Sequence, residues 1–261
     1  MTEHRHVLIV GAGPVGLTLA TALVRHGIRI EIFEGRTALD PQDRAATFHP
    51  PTLEIFDDWD ILDTLKQHAV IVDGLQYWER ENHRLVAAFD FSLIREFTKH
   101  PYRLHLPQHR LTEILYEKLK NSPLVTFHFG HQFRSYVDHG AYVEATFETS
   151  DGEHVATGRY LIGADGVNSS VREQASIQFE GKTYHDRFLL VISDARMESI
   201  LPDCSPEVYI FDPDEWVIAL QMKSHTRFVF RLAEDEDADE VSRYEDVYVR
   251  VKRFLPQIAH N

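Results

Sequence analysis

Apolar residues along this chain repeat with two different periods, and the switches between them predict its architecture. Val7 to Val10 is an unbroken apolar run bounded by turn residues, as expected of a strand buried in a parallel sheet. From about Pro14, Leu19, Ala20, Leu23 and Val24 follow helical spacing, and Gly27 is placed to end that helix. Ile28, Ile30 and Ile32 then alternate with polar residues toward Phe33, giving a second strand with Glu34 at its C-terminal end. A helical stretch is predicted after Pro50 and Pro51, from Thr52 through Leu53, Ile55 and Phe56 toward Trp59. The texture changes between Val70 and Phe91, where Gly74 to Trp78 and Leu85 to Phe89 read as short strands of a second sheet.

The helical period returns over Gln108 to Leu119, with Leu111, Ile114, Leu115 and Leu119 on one face. Val125 to Val137 and Tyr142 to Thr149 read as strands of a hairpin or meander, and Asp151 and Gly152 turn toward His154 to Thr157. Tyr160 to Ile162 form a short strand aimed back at the core. Further on, Glu207 to Phe211, Trp216 to Gln221 and Thr226 to Leu232 read as a three-strand meander, with turns at Asp212 to Glu215 and Lys223 to His225. The acidic run Glu234 to Glu240 is a solvated loop and helix start; Val241, Tyr244, Val247, Tyr248, Val251, Phe254 and Leu255 then keep helical spacing until Pro256. The expected fold class is α/β: a Rossmann-like cofactor domain, residues 1–70 and 101–178, with an inserted, mainly β domain, residues 71–100 and 179–232, and an acidic loop and helical start at 233–261.

Two glycine-rich segments carry the chemistry. In the first, Gly11 permits the tight strand-to-helix turn, Gly13 lets the backbone approach a pyrophosphate, and Gly16 lets the helix pack on the strand, while Pro14 suits a first turn. Glu34 lies 18 residues after Gly16. A carboxylate there accepts a ribose hydroxyl and repels a 2′-phosphate, which disfavours NADP in this groove. The second segment, Gly163, Ala164, Asp165 and Gly166, turns after a short strand and leads through Asn168, Ser169 and Ser170 to Val171 and Arg172. Together they describe one long cofactor touched at two places, favouring a dinucleotide such as FAD. Arg44 follows the first strand-helix-strand unit, where a guanidinium can bind phosphate oxygens bidentately; a solvated or ion-paired arginine accounts for it equally well.

Composition narrows the remaining classes. With 261 residues, 43% of them hydrophobic, the chain can bury one large core or two small ones. Val7 to Val24 is 18 residues without a charge, but three glycines and a proline in it argue against a spanning helix or a signal peptide. The single cysteine, Cys204, excludes an internal disulfide and points to a reducing, cytoplasmic compartment. A net charge of −14 argues against nucleic acid or an anionic membrane as partner. Sixteen histidines raise the question of a metal, but Pro107 separates His105 from His109, and His128 and His131 have no carboxylate beside them in sequence. No metal site is expected. The G-x-S-x-G turn of serine hydrolases does not occur.

In order, Gly11 to Gly16 with Glu34, the Arg44-Ala45 segment, Gln108 to Leu115, and Tyr160 to Arg172 resemble the class A FAD-dependent aromatic monooxygenases over nearly the whole chain. The resemblance implies that Gly11, Gly13, Pro14, Val15 and Gly16 cradle FAD, that Glu34 binds its adenosine ribose, and that Arg44 lies near its pyrophosphate. It further implies that Gln108 contacts the flavin side and that Asp165 and Gly166 serve both FAD and NAD(P)H. Gly35 and Arg36 join this cofactor-binding set, Gly35 standing where a longer basic residue is common in the family. The inserted sheet would bind substrate, with Tyr209, Phe211 and Trp216 either facing an aromatic ring or packing in the core. The activity implied is hydroxylation of an aromatic or phenol-like small molecule with NADH or NADPH and O2, through a flavin hydroperoxide. The protein then orients and excludes water, and no catalytic side chain is nominated.

The family's second flavin segment, a Gly-Asp motif, has no counterpart: no Gly-Asp pair occurs, and no glycine follows Gly181. The expectation is a C-terminally truncated member. A truncated, inactive flavin-binding remnant or interaction module is the alternative reading, and an NAD-dependent dehydrogenase a third, disfavoured by the second motif. Homo-oligomerisation is left open.

Overall fold

The computed structural model describes residues 6–42, 44–201, 203–211 and 215–254. Asp43, most of the turn expected at Asp212 to Glu215, and the helix stop at Leu255 and Pro256 lie outside them. Two compact units emerge, Met1–Ala45 with Gln108–Gly181, and Ala46–Pro107 with Lys182–Asn261. The chain leaves the first unit after β1 (Val7–Val10), α1 (Pro14–Arg25) and β2 (Ile30–Glu34). It builds β3 (Thr47–Phe48), α2 (Pro50–Asp58), α3 (Leu62–His68), β4 (Val70–Val72), β5 (Gly74–Glu79), β6 (Arg84–Asp90), a 3-10 turn (Phe91–Ile94) and β7 (Arg103–His105) in the second. It returns for α4 (Gln108–Leu119), β8 (Val125–Phe129), β9 (Gln132–Asp138), β10 (Val143–Thr149), β11 (Gly152–Gly158), β12 (Tyr160–Gly163) and α5 (Ser170–Gln174). Last come β13 (Arg187–Ser193), α6 (Met197–Ile200), β14 (Glu207–Phe211), β15 (Trp216–Gln221), β16 (Thr226–Leu232), α7 (Ala238–Val241) and α8 (Tyr244–Phe254).

In the first unit the strands run β12-β1-β2-β8, all parallel. β1 sits inside this sheet, and all four of its residues are buried, which is why it reads as an unbroken apolar run. Burial of each such side chain contributes about 1.5–3 kcal/mol. α1 begins at Pro14, buries Gly16, Leu17, Ala20 and Thr21, and ends at His26, after which Gly27 takes φ +73° to reverse the chain.

The stretch Val125 to Val137 is not one hairpin strand. Gly130, at φ +70°, breaks it: β8 joins the parallel sheet beside β2, and β9 starts an antiparallel sheet with β10 and β11. Edge pairing between β2 and β8 decides this, and a local period cannot report it.

The second unit carries a six-stranded sheet, β13-β16-β15-β14-β5-β6, antiparallel except where β14 meets β5. The expected meander is its middle. β13 lacks polar alternation, Phe188 to Ile192 being apolar throughout, so a period-two reading misses it. Val208, Ile210, Val217, Phe228 and Phe230 pack with Met197 of α6 and Val251 of α8. At alternate positions Tyr209 stacks on Tyr77 at 5.0 Å, Phe211 lies 6.0 Å from Tyr77, and Trp216 lies 5.8 Å from Phe188.

Residues 46–70 and 101–107 pack with this second unit. The reason is a small sheet, β3-β7-β4, in which Arg103–His105 hydrogen-bonds to segments distant in sequence. Among the described residues no helix is long and apolar enough to cross a membrane.

Candidate functional site

Parallel strands end their C-terminal edges at one place, and in an open α/β sheet that edge is where ligands collect. Here the loops after β1, β2, β8 and β12, with the start of α4, enclose an open cleft of about 480 Å³. The two glycine segments meet in it directly. A Cβ on Gly11, which holds φ +105°, would lie 2.4 Å from the Ala164 carbonyl oxygen. A Cβ on Gly16 would lie 2.0 Å from the carbonyl oxygen of Gly11, so this glycine sits behind the loop. Gly13 differs: a Cβ there meets nothing within 4 Å. Its missing side chain leaves room on the cleft side. α1 starts with no side-chain cap and no acidic residue in its first turn, so its positive end is available to an anion.

Glu34 closes this loop from β2. Its Oε2 accepts the Ala12 N–H at 2.9 Å and its Oε1 the Arg36 N–H at 3.0 Å. A carboxylate has about four lone-pair sites, so each oxygen keeps capacity for a further donor. The residues present therefore fit a dinucleotide with a ribose at Glu34 and phosphates at the glycine loop.

Past β2, Asp40 ties two arginines together. Arg36 Nη1 lies 2.5 Å and Arg44 Nη2 3.3 Å from Asp40 Oδ2, and Arg44 Nη2 also donates to Gln42 Oε1 at 3.1 Å. The Arg36 hydrogen bond holds the Asp40 carboxyl below its ordinary pKa, and Asp40 in turn raises that of Arg36. Arg44 is thus an ion-paired side chain on the rim. Gln108 opens α4, its N–H donating to the Ala45 carbonyl at 3.0 Å.

Asp165 has its carboxylate engaged within its own turn. Oδ1 accepts from the Ser169 hydroxyl at 2.5 Å and Oδ2 from the Val171 N–H at 3.2 Å, while Ser169 caps α5 by accepting the Arg172 N–H. Gly166 takes φ +90° beside it.

Every residue nominated from the sequence lines the cleft except Gly16. Asp40, Gln42, His109, Thr112, His131, Gln132 and Phe133 line it too, and sequence reasoning missed them. The signal for the last three lay in Gly130, the break that sends β8 to the parallel sheet. Gly35 lies against Gln132, whose Oε1 would be 2.4 Å from a Cβ at that position.

The chain matches a family model described as FAD binding domain over residues 4–259. Para-nitrophenol 4-monooxygenase of Pseudomonas sp. (strain WBC-3) is 28% identical over 250 residues, 96% of this chain and 61% of the relative. The crystal structure of p-nitrophenol 4-monooxygenase PnpA from Pseudomonas putida DLL-E4 superposes with a TM-score of 0.87 at 26% identity, covering 98% of this chain and 64% of that one. Aklavinone-11 hydroxylase, solved as a ternary complex with FAD and aklavinone, shares the fold with a TM-score of 0.84 at 24% identity over 98% of this chain and 51% of that one. The chain therefore spans between 51% and 64% of the length of these relatives. With the glycine loop, Glu34 and the Asp165 turn gathered on one cleft, and a matching model from end to end, the chain belongs to the FAD-binding domain family of the class A flavoprotein aromatic hydroxylases.

Proposed function

We propose that this chain is the FAD-binding portion of a monooxygenase that hydroxylates a phenol-like aromatic molecule at the expense of NADH or NADPH and O2. The contact of Gly11 with Ala164 carries this reading, because it makes one site of two motifs that are far apart in sequence. In that site Glu34 takes the adenosine ribose, the Gly11–Gly16 loop and the N-terminus of α1 take the pyrophosphate, and Gln108 orients the flavin side. Pro14 and Val15 continue the cradle. Arg36 and Arg44, held by Asp40, set a positive rim for phosphate oxygens and for the nicotinamide cofactor. Asp165 stabilises the turn that presents Gly166 and its neighbouring backbone to the cofactor.

FAD supplies the redox and oxygen-transfer chemistry when bound. The protein's part is to hold it, orient the ring to be hydroxylated and keep water away. The half-buried aromatic positions Tyr77, Tyr209 and Phe211 offer stacking surface for such a ring. The substrate class follows the para-nitrophenol relatives.

The test is an absorbance titration of the purified chain with FAD, followed by NAD(P)H oxidation and product analysis with p-nitrophenol in a protein of the family's full length. Saturable flavin uptake with substrate-stimulated NAD(P)H consumption and a hydroxylated product is expected. Failure to take up FAD would remove the reading.

A further inference from the structure

The pairing of β8 with β2 and of β11 with β10 carries three histidines to one place. His128 stands opposite Phe33, and His154 opposite Phe147. With His131, in the turn after β8, each presents a ring nitrogen within 4.8 Å of the other two. The nearest pair, His131 Nε2 and His154 Nδ1, is 2.8 Å apart. All three residues are partly buried.

Two of the rings are also fixed from behind. His128 lies flat on Phe33, centroids 4.5 Å apart and planes 6° apart, with Nε2 2.8 Å from Glu31 Oε2. The other oxygen of Glu31 lies 3.1 Å from His6 Nε2, which orients the carboxylate. His131 Nδ1 is 2.9 Å from the Phe129 carbonyl oxygen. A carbonyl only accepts, so the His131 proton sits on Nδ1 and the Nε2 lone pair faces the cluster.

We propose that His128, His131 and His154 form a binding site for a divalent transition-metal ion, zinc by preference, in the wall of the FAD cleft. Three imidazoles with an open fourth position are a zinc donor set. Metal-bound histidines hand their distal N–H to a carboxylate or a backbone carbonyl, and Glu31 and Phe129 occupy those places behind His128 and His131. Glu31, which only accepts, holds the His128 proton on Nε2 and leaves Nδ1 with its lone pair. A Zn–N bond of about 2.0–2.1 Å sets tetrahedral ligand nitrogens ~3.3 Å apart, so small rotations of the rings suffice. On binding, the His131–His154 hydrogen bond gives way and the shared proton moves to the other ring nitrogen of His154. His128 and His131 are neighbours in sequence, but the carboxylate behind His128 is not: Glu31 lies 97 residues away.

The experiment is competition of the metal-depleted chain with a chromophoric indicator for Zn2+. One ion per chain is expected. His128→Ala and His154→Ala should each weaken it by about tenfold or more, and Glu31→Gln by about tenfold, as outer partners of metal ligands do. His139→Ala, in the β9–β10 turn where it stacks on Tyr142, should leave affinity unchanged. Circular dichroism of each variant separates lost ligation from lost folding. The Co2+-loaded wild-type chain provides a reading that needs no substitution: strong visible absorption of a four- or five-coordinate nitrogen site is expected. Absence of a stoichiometric ion, equal affinity in folded variants, or the weak spectrum of octahedral Co2+ would overturn the proposal.

Discussion

Glu34 binds two backbone N–H groups across the mouth of the glycine loop, so its substitution tests both the loop and the cofactor. Glu34→Lys removes both bonds and places a cation where the ribose is proposed to sit; FAD affinity should fall by about 1–3 kcal/mol. Glu34→Gln keeps one carbonyl oxygen and should lose less. A flavin-fluorescence titration checks both, and unchanged affinity would leave Glu34 a loop tie alone. Cys204 makes the opposite kind of prediction. Burial first, then the charge of Glu198, pushes its thiol up to about 11. Little thiolate exists at neutral pH, so alkylation by iodoacetamide at pH 7.5 should run about a hundredfold slower than in the urea-unfolded chain. Equal rates would show the thiol to be open and ordinary.

At the scale of elements, the β1–α1 turn and the β12 turn are interlocked through Gly11. Gly11→Ala adds a Cβ 2.4 Å from the Ala164 carbonyl at a positive φ, so the two turns must separate. The expected cost exceeds about 1 kcal/mol, and FAD binding should fall with it. Thermal melting with and without FAD reads both effects, and a neutral outcome would mean that the turns are not in contact.

β7 and β14 are joined more electrostatically. Glu207 is buried, with Arg103 Nη1 at 2.7 Å and His105 Nε2 at 3.6 Å. Burial works to raise its pKa, but His105 and Arg103 outweigh this and leave it lowered. A lowered folded pKa contributes stability above the unfolded value of about 4.3, and that stability is lost as pH falls through the folded pKa. Glu207→Gln should therefore lower the urea midpoint more at pH 7 than at pH 3. A difference independent of pH would assign Glu207 a packing role only.

For the molecule as a whole, the 261 residues are predicted to be weakly coupled as a hydroxylase when they stand alone. They span 61% of the length of para-nitrophenol 4-monooxygenase and carry no Gly-Asp motif, the second flavin segment that the family resemblance implies. A site left open without it would admit water, and the electrons taken from NAD(P)H would then reduce O2 to peroxide instead of supporting oxygen transfer. Side-by-side assay of these residues and of a family-length protein, measuring bound FAD, peroxide and hydroxylated product, should show most NAD(P)H oxidation by the short form ending as peroxide. Tight coupling in the short form would sink the idea.

What the sequence determined by itself was local. The glycine spacing, the helix at Gln108 to Leu119 and the alternation in Glu207 to Leu232 follow from side-chain period and backbone permissiveness, which act between residues a few positions apart. Glu34 was legible for the same reason, its distance from Gly16 being set by one helix and one strand. Tertiary structure alone decided which edges pair. It sent β8 to β2 and made Gln132 a neighbour of Gly35, drew Ala46–Pro107 into the second unit through the pairing of β3, β7 and β4, turned Arg44 onto Asp40, and set His154 beside His131. Hydrogen bonds between strand edges, and side chains meeting across them, depend on segments far apart in the chain, and no local period carries that information.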